Sequence, residues 1–362
     1  MGHIPQSINP TRAERLQLRL GQAKRAFTTR HVDFTKADRL VRSGRTPKPG
    51  DIVLARVKSI GQHARIENVH GRRGHLYVGD EIIVAYGNRY APDQFEAFVP
   101  SDLEDCDLVA GGGVASRMTR KHVSMKNPTR IEIIGLLVAE DGAILNLGHF
   151  GIMPKSELER PQLVIAVVGS SMNAGKTTTA AGLVHGLGRA GFRVGAAKIT
   201  GTGSGGDLWT MRDAGAITAL DFTDAGHAST FKVDVHELAQ VSARLLDSLA
   251  CAGADIAIVE IADGLLQEET AALVEMAAAH GWFDGFVFAA ADAMGSAFGT
   301  KWLAERGITP IAVSGLVSAS PLAASETAKC AGVPVVTLAE LRDPISVTKI
   351  VFRPQIETRE AA

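Results

Sequence analysis

Residues 163–183, LVIAVVGSSMNAGKTTTAAGL, pass from an unbroken apolar stretch through a loop bounded by Gly169 and Gly175 into a helix-forming run that opens with Lys176. That order constrains the chain more than any other feature, because an apolar stretch of this length suits a strand covered on both faces, as in parallel sheets. Strand, glycine loop and helix together make a phosphate loop. Backbone N–H groups from about Ser171 to Thr178 can surround anionic oxygens, and the helix N-terminus adds favourable partial charge. The common form of the pattern is GxxxxGK[ST]. Here Ser170 stands at the first-glycine position and Gly169 lies one residue earlier. The expected phosphate contacts are Gly169, Ser170, Ser171, Met172, Asn173, Ala174, Gly175, Lys176, Thr177 and Thr178. In such a loop Gly175 permits close approach, Lys176 pairs with the β- and γ-phosphates, Thr177 holds Mg2+ and the Thr178 hydroxyl reaches the α-phosphate.

The surrounding sequence agrees with this local reading. Short apolar stretches at Leu163–Val168, Val194–Ile199, Ile256–Ile261, Phe286–Ala290 and Pro310–Val313 alternate with Ala-rich helical segments at Lys176–Ala190, Val235–Ala252, Glu268–His280, Ala297–Arg306 and Pro321–Ala331. This is the rhythm of an α/β protein: a P-loop NTPase-like, mostly parallel sheet with helices on both faces. Ligands gather at the carboxyl ends of its strands. Before it, Ile52–Val57, Arg73–Val78, Glu81–Tyr86, Ile131–Val138 and Ala143–Leu147 read as strands separated by turn residues, predicting a small β-rich, barrel-like domain. The expected organisation is a basic helical arm over residues 1–48, the β-rich domain over 49–150 and the phosphate-loop domain over 151–362. In the arm, Arg12–Phe27 places Leu16, Leu20 and Ala23 at helical spacing.

Composition narrows the partners. With 46% hydrophobic and 21% charged residues the 362-residue chain reads as globular, and its net charge of −1 argues against a dedicated nucleic-acid or anionic-membrane binder. Residues 1–50 nevertheless hold eleven Lys/Arg against three acids, so the N-terminal region could dock a protein partner or a second copy. GGGVASRMTRKH adds local positive charge at Arg117, Arg120, Lys121 and His122, but no aromatic stacking platform accompanies it. Cys106, Cys251 and Cys330 are too widely spaced for a CxxC site, and their odd number argues against a disulfide scaffold. No apolar run approaches the ~20 residues of a membrane span. The expectation is a cytoplasmic protein without a membrane role.

Three further segments gather around the phosphate loop. Gly169–Thr178 followed by RVGAAKIT, with Lys198 at its strand end, resembles the P-loop branch that contains dethiobiotin synthetase and the molybdopterin-guanine dinucleotide biosynthesis protein B. GGDLWTMRDAGA is similar to the latter family's segment and makes Asp207 the matching candidate for metal-linked water, although Asp213, Asp221 and Asp224 lie close in sequence. IVEIADGLL is similar to the synthetase strand that ends in a metal-facing acid, here Glu260. The resemblance implies catalytic roles for Lys176, Lys198 and Glu260, a metal held by Thr177, Asp207 and Glu260, and ATP with Mg2+ as cofactors. The implied reaction moves a phosphoryl group to a carboxylate or carbamate-like small molecule, with amide or ring formation to follow. Two alternatives stand beside it. One is a nucleotide-driven cofactor-assembly or delivery factor. The other comes from a weaker similarity of TGTGSGG and LDFTDAG to P-loop-fold amino-acid N-acyltransferases, in which the cradle would hold coenzyme A. His227 and His236 are candidate proton carriers without a sequence-defined partner.

Overall fold

The computed structural model describes residues 11–153 and 155–360, so the first ten residues of the expected arm lie outside it. The described residues form two compact units: one of residues 11–89, 94–151 and 226–228, the other of 90–93, 152–153, 155–225 and 229–360.

In the first unit, five strands close a ring: β1 (Ile52–Ser59), β2 (Glu81–Tyr86), β3 (Cys106–Ala110), β4 (Val114–Lys121) and β5 (Thr129–Val138). β1 pairs antiparallel with β2 and β5, and β3 pairs antiparallel with β4 and β5. The parallel pair of β4 with β2, Val114 opposite Ala85, completes the circuit. Successive side chains enter opposite faces and both faces meet a core, which explains the unbroken apolar runs Ile52–Ala55 in β1 and Ile82–Tyr86 in β2. Val53, Ala55, Val57, Ile82, Val84 and Tyr86 enter one core cluster, while Ile52, Leu54, Ile83 and Ala85 enter another. The second cluster is covered by α1 (Arg12–Gln22), whose Leu16 and Leu20 are buried beside Phe34. Thr11 and Glu14 form a capping box that starts this helix.

Several expectations are corrected here. Residues 12–48 do not stand apart as an arm, since Lys24–Arg25 pairs with β2 and Arg39–Val41 with β5. Ala143–Leu147 is no strand and is joined only by isolated bridges at Ile144 and Asn146. The Asn146 side chain accepts from Gly148 N and donates to Asp51 Oδ1, and such local bonds compete with a ladder. The basic GGGVASRMTRKH segment is mostly β4, where Arg117 pairs with Asp102 and Arg120 with Glu96.

The second unit is built on six parallel strands: β6 (Leu163–Gly169), β7 (Val194–Lys198), β8 (Thr218–Asp221), β9 (Ile256–Glu260), β10 (Gly285–Ala289) and β11 (Ala312–Ser314). Their order is β8-β7-β9-β6-β10-β11, which sets β6 between β9 and β10. α2 (Lys176–Arg189) follows β6 and packs on the sheet. Val164, Ala166 and Val168 share a cluster with Leu238 and Leu245 of α4 (Val235–Cys251), Leu273 of α5 (Glu268–His280) and Leu303 of α6 (Ala293–Ala304). α3 (Gly205–Asp213) lies between β7 and β8. It was not anticipated, because its glycine-rich start reads as a connector. α6 begins earlier than Ala297 because Asp292 caps it, accepting from Gly295 N. Among the described residues no helix is long and apolar enough to cross a membrane.

Burial in the first unit carries a pH signature. The His63 ring lies 5.7 Å from Phe95, and its Nδ1 is buried without a partner. Burial, with Arg89 nearby, pushes its pKa down to about 4. An unfolded histidine titrates near 6.5, so on acidification the unfolded chain takes up the proton first. The contribution of neutral His63 is intact above about pH 6.5 and is lost as pH falls through about 4, a change of up to about 3 kcal/mol. We expect melting temperature to fall less between neutral and acidic pH in His63→Gln than in the wild type. Parallel pH profiles of the two proteins would discard this account.

Candidate functional site

Gly169 ends β6 and Lys176 starts α2, and the loop between them is tied to its surroundings by backbone bonds. Ser170 N donates to Ala289 O, Leu265 N to Gly169 O and Leu316 N to Ala174 O. The early position of Gly169 has a steric cause: a Cβ there would stand 2.8 Å from Lys176 Cγ and 2.9 Å from Ala289 O. The lysine stem crosses the strand end at that point. Gly175 takes φ 98°, a region that favours glycine, and a Cβ there would meet Gly315 Cα at 2.9 Å. Lys176 is only 5% exposed; its ammonium donates to Ser171 O at 2.8 Å and also to Asp263 O. Burial lowers its pKa, partly offset by Glu260 and Asp263.

The remaining candidates converge beside it. In the parallel register Lys198 of β7 lies opposite Glu260 of β9, so both side chains leave the carboxyl end of the sheet. Asp207 reaches the same point from the first turn of α3. Lys198 Nζ donates to Asp207 Oδ2 and lies 3.5 Å from Glu260 Oε1. The Thr177 hydroxyl is 3.1 Å from Glu260 Oε1 and 3.3 Å from Asp207 Oδ1, able to donate its proton to either. Burial pulls the Lys198 ammonium down, but Glu260 and Asp207 together outweigh it and raise its pKa. Glu260 is 2% exposed, and its pKa is raised chiefly by burial. Burial also acts to raise Asp207, yet Lys198 prevails and holds it low.

The donor chemistry fits a hard divalent cation: two carboxylates and a hydroxyl, with Glu260 Oε2 buried and unpartnered. Among the described residues no group of three or more His, Cys, Asp or Glu side chains converges, so the hydroxyl is needed to complete any protein ligand set.

The structure separates Asp207 from its sequence neighbours. Asp221 Oδ1 accepts from Thr223 N, and Asp224 Oδ2 accepts from Asp221 N, so both organise a turn. His236 is exposed at the start of α4, and His227 belongs to the first unit. The glycine-rich segment Gly201–Asp207 runs into the start of α3, and Gly201 N donates to Thr230 Oγ1. Sequence reasoning missed the Asp263 carbonyl as a partner of Lys176, which no side-chain pattern could signal. It also missed Asp93, which accepts from Asn173 Nδ2 at 3.0 Å.

No protein-family model matches the chain, and no curated protein is similar to it. Solved structures that overlap it include signal recognition particle 54 kDa protein from Aeropyrum pernix K1 in complex with GDP, at 20% identity and TM-score 0.37 over 57% of this chain and 49% of that one. A second is the signal recognition particle receptor FtsY from Elizabethkingia anophelis in complex with GDP, at 18% identity and TM-score 0.38 over 55% of this chain and 66% of that one. The chain thus spans about half to two thirds of these structures' length. The phosphate-loop fold of the second unit rests on its strand order and loop geometry, independently of these overlaps.

The electrostatics of the cluster generate a test. Lys198→Met leaves the buried Glu260 carboxylate facing the partly exposed Asp207 without their shared ammonium and should lower unfolding free energy by about 3 kcal/mol at neutral pH. The deficit should shrink on acidification, when a shared proton relieves the repulsion. Denaturant unfolding of both proteins across pH checks this, and a deficit independent of pH would refute it.

Proposed function

We propose that the second unit is a Mg2+- and ATP-dependent enzyme that binds nucleotide at Gly169–Thr178 and transfers the γ-phosphoryl group to a carboxylate or carbamate-like small molecule. The observation that carries this reading is the meeting of Thr177, Lys198, Asp207 and Glu260 within 3.5 Å contacts beside the Lys176 loop. Phosphoryl transfer needs positioning and charge neutralisation more than covalent help from the protein. Loop N–H groups fix the phosphates. Lys176 exchanges its carbonyl partners for phosphate oxygens, and Lys198 offsets charge that develops on the transferred group. Thr177, Asp207 and Glu260 would hold Mg2+, which when bound neutralises and orients phosphate oxygens.

An already ionised acceptor suits the site. No histidine is among the described hydrogen-bond partners of Lys176, Thr177 or Lys198, and a carboxylate nucleophile has no proton to lose. The sequence has no NKxD motif of the guanine-binding type, which supports ATP over GTP. The similarity of its motifs to dethiobiotin synthetase supports the same reaction class.

Calorimetry tests the binding step. Lys176→Ala should weaken Mg·ATP binding at least about tenfold, or ~1.4 kcal/mol. Unchanged wild-type binding to every common nucleotide, or preference for coenzyme A, would remove the reading. A metabolite screen that follows ADP release and product mass identifies the acceptor. With it, Glu260→Gln should lower metal-dependent turnover roughly 10²-fold, ~2.7 kcal/mol in the barrier, with thermal melting as the control for folding. Wild-type turnover with an unchanged Mg2+ requirement would exclude Glu260 from the machinery.

A further inference from the structure

The first unit holds a basic cleft that the phosphate-loop chemistry does not use. Arg12, Arg15 and Arg19 recur at spacings of three and four on α1, so they share one face over about 10 Å of helix. With Arg39 they line a cleft of about 260 Å³, floored by Leu16, in which Asp38 is the one acidic side chain among the described residues. The cleft has fixed and extended parts. Arg19 is half-buried and oriented by Glu81 in a two-point contact, Nε to Oε2 at 2.8 Å and Nη2 to Oε1 at 2.6 Å. Arg39 is half-buried and oriented by Asp38 at 2.9 Å. Each keeps further N–H groups of its fork beyond those bonds. Arg12 and Arg15 are exposed at the rim. The helix that carries three of the four cannot drift, because Gln17 Nε2 donates to both Phe34 O and Ala37 O and Leu16 and Leu20 are buried.

We propose that this cleft binds a small ligand carrying two or more linked phosphates. Guanidinium forks match phosphate oxygens in pairs, and a row of them on one rigid face suits linked phosphates better than a single anion. The cleft is near the lower end of small-molecule pocket size. Among the described residues its lining contains no aromatic ring of the kind on which single-stranded nucleic acid stacks.

The test uses the full chain and inorganic tripolyphosphate without metal, titrated by calorimetry into the Lys176→Ala protein so that the phosphate loop contributes little. We expect one site there, and at least tenfold weaker binding when Arg12→Gln and Arg15→Gln are added. Both arginines are exposed, and a melting curve of the double variant separates loss of the site from loss of fold. Arg12→Lys with Arg15→Lys should recover only part of the affinity, because charge returns without the fork. No binding to Lys176→Ala would overturn the proposal, since the phosphate loop would then be the sole site. Equal binding with and without the two arginines would overturn it too. So would an oligothymidylate that binds through these arginines more tightly than tripolyphosphate, which would make the cleft a nucleic-acid surface.

Discussion

Two carboxylates reach one point beside the phosphate loop, Asp207 from the first turn of a helix and Glu260 from a strand end, and the Lys198 ammonium lies in contact with both. Two carboxylates at one point, one of them buried, would drive one group neutral or push the helix away. Lys198 removes that conflict. It can do so because β7 and β9 are parallel neighbours in a register that sets Lys198 opposite Glu260. The Thr177 hydroxyl then has acceptors on both sides, which locks the first turn of α2 against the sheet. Loop, helix and strand ends thus owe their arrangement to one ion cluster.

The same economy of space governs the loop. An early glycine looks like a lapse from the usual pattern in sequence, yet Gly169 lies where the Lys176 stem passes and where Ala289 presents its carbonyl. A side chain at Gly169 would displace the lysine. Ser170 fills the nominal glycine position with its backbone N–H bonded to Ala289 O.

The second unit was largely legible because short apolar strands alternate with Ala-rich helical segments, and because the chemistry of a strand-end acid or lysine is local. Lys176, Thr177, Lys198, Asp207 and Glu260 were all named from sequence, and the fold brings them together. What could not be read depended on backbone atoms or on distance along the chain. The Asp263 carbonyl has no sequence signature, and Asp93 lies far from Asn173 in sequence. In the first unit, β3 and β4 escaped notice because their polar positions are satisfied by partners elsewhere: Asp107 by Arg130 and by Met118 N, Arg117 by Asp102. Lys24–Arg25 and Arg39–Val41 are too short to show a period, and only the ring they border makes them strands.

The resting position of Lys176 has a consequence for which anions the loop admits. Its ammonium is already engaged by two backbone carbonyls, Ser171 O and Asp263 O, in a site shielded from water. Hydrogen bonds from a charged donor contribute about 2 kcal/mol each, so an anion that takes over these two N–H groups must offset their loss, while the third N–H of the ammonium lies outside both bonds. A lone phosphate brings a small set of oxygens to that exchange, whereas a chain of phosphates engages the lysine and the loop N–H groups at once. At the proposed nucleotide site the two carbonyls would therefore favour a longer phosphate chain over a lone anion.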